Sequence, residues 1–189
     1  MTRLLLVAGA LLAAVAATPA HADDILDAID QSRKAYQAGD MATAKQSLDL
    51  ASQLIGQKNA ESFAAMLPEP LAGWQAEKAQ TNALGSAVFG GVSAASRSYT
   101  NAKGDTVEVS ISGDSALLMQ FAPMLSNPAM AGALGKLIRI GDQRAVQNQE
   151  GDLMMVVANK VLINVQGTAD AASKLAYAKA IDAAKLSKL

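Results

Sequence analysis

The chain carries a single imidazole, His21, inside the stretch "AVAATPAHADD". Histidine is the side chain whose ordinary pKa suits proton transfer near neutral pH. Whether His21 stays with the folded body therefore limits the chemistry open to the protein. The residues around it have the order of a secretory leader. Arg3 gives a short positive start, Leu4 to Ala17 is an uncharged apolar run, and Pro19 breaks it. Ala20-His21-Ala22 then places small residues at the two positions a signal peptidase inspects. The run falls short of the ~20 apolar residues of a spanning helix. The expectation is a signal peptide over 1–22, cleaved after Ala22, that takes His21 away. The body from Asp23 to Leu189 is then free of histidine, and the whole chain lacks cysteine.

A serine nucleophile is the next chemistry to consider. Gly113-Asp114-Ser115, within "SGDSALLM", resembles the nucleophile block of GDS(L)-type esterases. That resemblance implies Ser115 as nucleophile and a downstream histidine as its base. No histidine follows His21, and no serine has a lysine three residues on, so the S-x-x-K alternative is missing too. The segment reads instead as a strand end followed by a helix cap.

Metal and phosphate chemistry find little more. Without His or Cys, zinc, haem and iron–sulfur clusters lose their usual donors. Met119, Met124 and Met130 carry thioethers that suit Cu(I). Leu117, Leu118, Phe121, Leu125 and Leu134 share their segment, which makes the methionines core filler. No spaced oxygen-ligand loop for calcium appears. "GSAVFGG" (85–91) has no Lys-Ser/Thr and is no P-loop; its glycines read as strand glycines that permit a bulge. Glu108 is an acid–base candidate only by its place on the polar face of a strand. The reading assigns no catalytic residue, no metal ligand and no cofactor.

The elements that would carry these residues follow from periodicity. In "DDILDAIDQSRKAYQAGD", Ile25, Ile29 and Tyr36 return at helical spacing, with Asp23 and Asp24 favourable in the first turn. Gly39 is a C-terminal stop, and Asp40 caps a second helix in which Ala44, Leu48, Ala51 and Ile55 make one stripe. Gly56 kinks or pauses that helix before it reaches Leu67 and is ended by Pro68 and Pro70. The stretch "AYQAGDMATAKQSLDLASQLI" resembles one tetratricopeptide-type helical hairpin, through Ala35, Tyr36, Gly39, Asp40, Ala44 and Leu48. It occurs once, and solenoid repeats need about three copies to bury a continuous core. The resemblance therefore implies a docking appendage or dimer element.

From Gly73 the period becomes strand-like. "GWQAEKAQ" reads as a first strand anchored by Trp74, and "SAVFGGVSAASRSYT" as a long second one. "DTVEVSIS" puts Val107, Val109 and Ile111 on one face and Thr106, Glu108 and Ser110 on the other. "TNAKGD" joins the last two as a hairpin. A helical section over about 115–134 is interrupted at "SNP". "KLIRI", "QRAVQNQ", "LMMVVAN" and "VLINVQ" then meander through tight turns. "DAASKLAYAKAIDAAKLSKL" closes the chain as one Ala-rich helix, with Lys179, Lys185 and Lys188 near its end. The fold class is α+β: an N-terminal helical hairpin over 23–70, then a mostly antiparallel β-sheet covered by helices over 71–189. The order of elements resembles the sandwich of Mog1/PsbP-type proteins, and the whole chain resembles small exported bacterial proteins.

Charge narrows the partners. Sixteen Lys and Arg oppose 17 Asp and Glu, a formal net charge of −1 that moves to about −2 without Arg3. That balance argues against a nucleic-acid footprint. From Ser115 through Gly135 no side chain ionises, while Pro123, Asn127 and Pro128 rule out a membrane span there. Leu118, Met119, Phe121, Met124, Leu125, Met130 and Leu134 form the candidate partner or ligand surface of this segment. These features favour a non-catalytic periplasmic or secreted bacterial protein that contacts an envelope protein partner. A carrier of an apolar small molecule or lipid is the alternative, and a serine hydrolase a distant third. No integral span is expected once the signal is removed.

Overall fold

The protein is described by a computed structural model over residues 21–84, 92–113 and 135–189, together with Gly132. Helix α1 (His21–Gln37) and helix α2 (Met41–Ala64) form the N-terminal pair. Their three-residue connection is set by two local signals read from the sequence. Gly39 takes a left-handed φ of 80°, the Asp40 N–H donates to the Ala35 carbonyl at 2.9 Å, and the Gly39 N–H donates to Tyr36 at 3.0 Å. That is a Schellman-type stop. Asp40 then turns its carboxylate onto the Thr43 N–H at 3.0 Å and caps α2.

Among the described residues eight strands follow in one antiparallel sheet: β1 (Trp74–Ala76), β2 (Gln80–Leu84), β3 (Val92–Asn101), β4 (Thr106–Gly113), β5 (Lys136–Ile140), β6 (Gln143–Gln147), β7 (Leu153–Val157) and β8 (Val161–Gln166). The order is β1-β3-β4-β8-β7-β6-β5, with β2 also on β3. The fold is α+β, as the hydrophobic pattern implies. The segment read as one strand from Gly73 is two: β1 pairs Ala76 with Tyr99 and β2 pairs Gln80 with Ser96. The register shifts by one residue between them, with the Glu77 N–H donating to Ser98 at 2.9 Å, which makes a bulge in a single edge.

The sheet has two different faces. Ile138, Ala145, Met155, Ile163, Ile111 and Ala95 form one row across six strands of the inner face. Val107, Val109 and Ile111 are fully buried there, as the alternation in β4 requires. Phe63 and Leu67 from the end of α2, and Tyr177, Ala178, Ile181 and Leu186 from the C-terminus, complete the same core. On the outer face the next row runs Leu137, Val146, Met154, Asn164, Ser110 and Ser96. It changes from apolar at β5–β7 to hydroxyl-bearing at β3–β4.

Two expected helices differ from the sequence reading. Helix α2 runs through Gly56 without interruption, because the glycine faces the sheet. A Cβ there would meet only Ser93 Oγ at 3.6 Å and Ala83 Cβ at 3.9 Å. The C-terminal helix, in contrast, is broken into α3 (Ala171–Ala180) and α4 (Ala183–Leu186). Ile181 adopts an extended backbone and drops into the core, and Asp182 accepts from the Lys185 N–H at 3.0 Å to start a new turn. An aspartate inside an Ala-rich run is itself a cap signal.

Candidate functional site

The hairpin owes its close approach to small residues. Ala28 and Ser32 of α1 and Ala44, Ser47 and Ala51 of α2 are buried. Ser32 Oγ donates to the Ala44 carbonyl at 2.9 Å, which ties the two backbones together. Larger side chains cannot enter this seam and are turned outward. Leu26, Ile29, Tyr36, Met41, Leu48 and Ile55 are 42–64% exposed. This differs from the expected single stripes. Ala44 and Ala51 lie in the seam, while Leu48 and Ile55 flank it in solvent.

Their spacing makes the exposed set continuous. Ile29 and Tyr36 are seven residues apart, as are Met41, Leu48 and Ile55, so each set runs along one side of its helix. Ile29 and Tyr36 each follow a seam alanine by one residue. Leu48 and Ile55 each follow one by four, and Met41 precedes one by three. All are rotations of the same sense away from the partner helix. Because α1 and α2 are antiparallel, equal rotations fall on one side of the hairpin. Leu26 lies further round α1, and Leu50 projects to the opposite side of α2. Arg33 and Lys45 border the stripe, neutralised by Asp30 at 3.1 Å and Asp49 at 2.7 Å.

The stripe is held rigidly to the sheet. Phe63, near the end of α2, covers Gly113 so closely that a Cβ there would lie 2.7 Å from its Cζ. Beyond α2, Tyr99 donates its hydroxyl to the Pro68 carbonyl at 2.6 Å, and the Leu71 N–H donates to the Tyr177 hydroxyl at 3.3 Å. Trp74 meets Tyr177 edge-on with ring centroids 5.4 Å apart. Burial pushes the Tyr99 hydroxyl up to about 12, against the lowering effect of the Arg97 charge. Arg97 reaches the Pro68 carbonyl at 3.4 Å and Glu69 at 3.8 Å.

A second polar anchor holds the C-terminal helix. Lys174 is 1% exposed, yet its Nζ donates to Asp152 Oδ1 at 2.6 Å and to the Glu150 carbonyl at 2.9 Å. Burial raises the Asp152 pKa, but hydrogen bonds from Lys174 and Asn148 and the Lys174 charge together hold it below the usual carboxylate value. Both charges are satisfied, so this buried pair is structural.

Of the residues singled out from sequence, Leu118, Met119, Phe121, Met124, Leu125, Met130 and Leu134 lie outside the described residues, as do Ser115 and the glycines of 85–91. Gly113 is described, and its place beneath Phe63 gives it a packing role. Glu108 accepts from Gln166 Nε2 at 3.2 Å on the outer sheet face. Among the described residues no three His, Cys, Asp or Glu side chains converge on a point that would hold a metal ion. Two concavities larger than 300 Å³ stand apart from the hairpin among the described residues. One of about 450 Å³ lies between the β5–β6 turn and the α3–α4 break, floored by Ile140, Met155 and Ile181. The other, about 340 Å³, lies on the outer face among Gln80, Thr81, Asn82, Ser96 and Ser110.

No family model, curated protein or solved structure matches the chain. The exposed stripe was missed in the sequence because helical spacing alone groups Ala44 with Leu48. The available signal was size: alanines seven apart at 28 and 35 and at 44 and 51 mark the side where two backbones approach.

Proposed function

We propose that the protein is a non-catalytic accessory protein of the bacterial periplasm that works through protein–protein contacts made by its helical hairpin. One observation carries this reading: five large apolar side chains, Ile29, Tyr36, Met41, Leu48 and Ile55, face solvent on one side of the hairpin beside a closed small-residue seam. Burying them would gain roughly 25 cal/mol per Å² of apolar surface, and contiguous patches of this kind mark interaction sites. No helix among the described residues is long and apolar enough to cross a membrane. The paired charges beside the stripe offer an anionic surface no attraction.

Cross-linking in bacterial cells that export the chain tests the proposal. The expected result is a species heavier than the monomer that disappears in a Leu48→Glu/Ile55→Glu variant. Cross-links that persist unchanged in that variant would remove the hairpin from the function.

The cavity between the sheet and the C-terminal helices favours a second reading, a carrier of a small apolar ligand. Its volume of about 450 Å³ lies in the range of ligand sites; Ile140, Met155 and Ile181 would meet the apolar part of the ligand, and Gln143, Lys179 and Asp182 its polar end. Native mass spectrometry of the exported chain would show the bound mass. A filling variant, Ala178→Leu, would abolish it.

A further inference from the structure

We infer that the hairpin stripe is the contact surface of a homodimer, in which two hairpins close into a four-helix bundle. The inference rests on the reading of the stripe as a protein-contact surface and names its occupant as a second copy of this chain. Three observations favour that occupant. The first is shape: two antiparallel helices display apolar residues every seven positions on a common side, which is the pattern of a bundle with half its helices missing. The second is charge. Arg33 and Lys45 are each paired within their own helix, so a copy meets an edge without net charge and without like-charge repulsion. A strongly acidic or basic partner would find nothing to select.

The third is area. The five large side chains of the stripe, at about half exposure, present roughly 100 Å² each, or about 500 Å² per copy, by ordinary area bookkeeping. Two copies together bury roughly 1,000 Å² from the stripe alone, about the least a specific interface buries. Leu50, on the other side of α2, lies outside the contact. A two-fold axis across the stripe brings Leu48 of one copy near Leu48 of the other, with Tyr36 and Ile55 alternating around it.

The absence of cysteine gives a clean test, because any thiol introduced is the only one in the chain. The exported chain is measured by light scattering, with Leu48→Cys and Leu50→Cys variants oxidised in parallel. The expected result is twice the mass of one chain, disulfide-linked dimer from Leu48→Cys and little from Leu50→Cys. The Leu48→Glu/Ile55→Glu variant should have the mass of one chain and an unchanged circular dichroism spectrum. A wild-type chain that stays single at about 100 μM, with no preference between the two cysteine positions, overturns the homodimer. If the cellular cross-links still vanish in the stripe variant, the hairpin contacts a different protein and only the second copy is excluded. If they persist as well, the contact reading falls with it.

Discussion

The rings of Tyr99 and Tyr177 lie with centroids 4.3 Å apart and planes inclined by 36°, joining β3, the strand beside the β1–β2 edge, to helix α3. Their hydroxyls both reach the 68–71 segment that leaves α2. Removing the Tyr99 hydroxyl leaves the Pro68 carbonyl with only the longer Arg97 bond. Tyr99→Phe should therefore cost about 1–2 kcal/mol in urea unfolding, the usual range for a buried hydrogen bond.

The same hydroxyl sets an alkaline limit. Burial raises Tyr99 to about 12 and also raises Tyr177. A folded pKa above the unfolded one gives stability that is complete below the unfolded value, near 10, and is lost as pH rises through the folded value. Tyrosinate absorbance from Tyr99 and Tyr177 should therefore appear only as pH rises well above about 10, together with loss of near-ultraviolet circular dichroism.

Lys174 and Asp152 predict behaviour at the acid end. Lys174→Met keeps most of the packing but strands a carboxylate that is about a quarter exposed. We expect a loss of about 1–3 kcal/mol at pH 7, reduced from the full cost of a broken buried pair by that exposure. Because Asp152 is depressed in the folded state, its contribution is present at neutral pH and lost as pH falls through the depressed value. The Tm difference between wild type and Lys174→Met should shrink from about pH 5 downward.

Two glycines should respond with opposite sign. Gly56→Ala places a methyl at ordinary contact distance from Ser93 and Ala83 within a helix, and should stabilise by about 0.5–1 kcal/mol. Gly113→Ala drives a methyl into the buried Phe63 ring and should cost about 1–3 kcal/mol. Denaturant midpoints distinguish the pair.

Seam and stripe should separate folding from contact. Ala44→Leu overfills the helix interface and should destabilise by about 1–3 kcal/mol. Leu48→Gln, at an exposed site, should change monomer stability by no more than about 0.5 kcal/mol. Its effect should appear in cross-linking instead.

Much of this architecture was legible in the chain. Gly39-Asp40 stated the turn, because a left-handed stop and a carboxylate cap are local chemistry. Val107, Val109 and Ile111 stated a buried face, since strand alternation has one meaning when one side is polar. Gly56 misled because helix propensity disfavours glycine, whereas here it faces the sheet at the packing surface. Asp182 misled in the other direction: the Ala-rich run around it hid a cap. The stripe was the hardest to see. Leu48 and Ala44 share a helical face by period, and only the tertiary approach of α1 divides them by size.

Helix α2 has two jobs along its length: its first half meets α1 and its second half sits on the sheet through Gly56 and Phe63. With 68–71 pinned by two tyrosines, no hinge separates the hairpin from the body. In a two-fold assembly the two sheets would therefore be carried at one fixed separation, as on a rigid yoke.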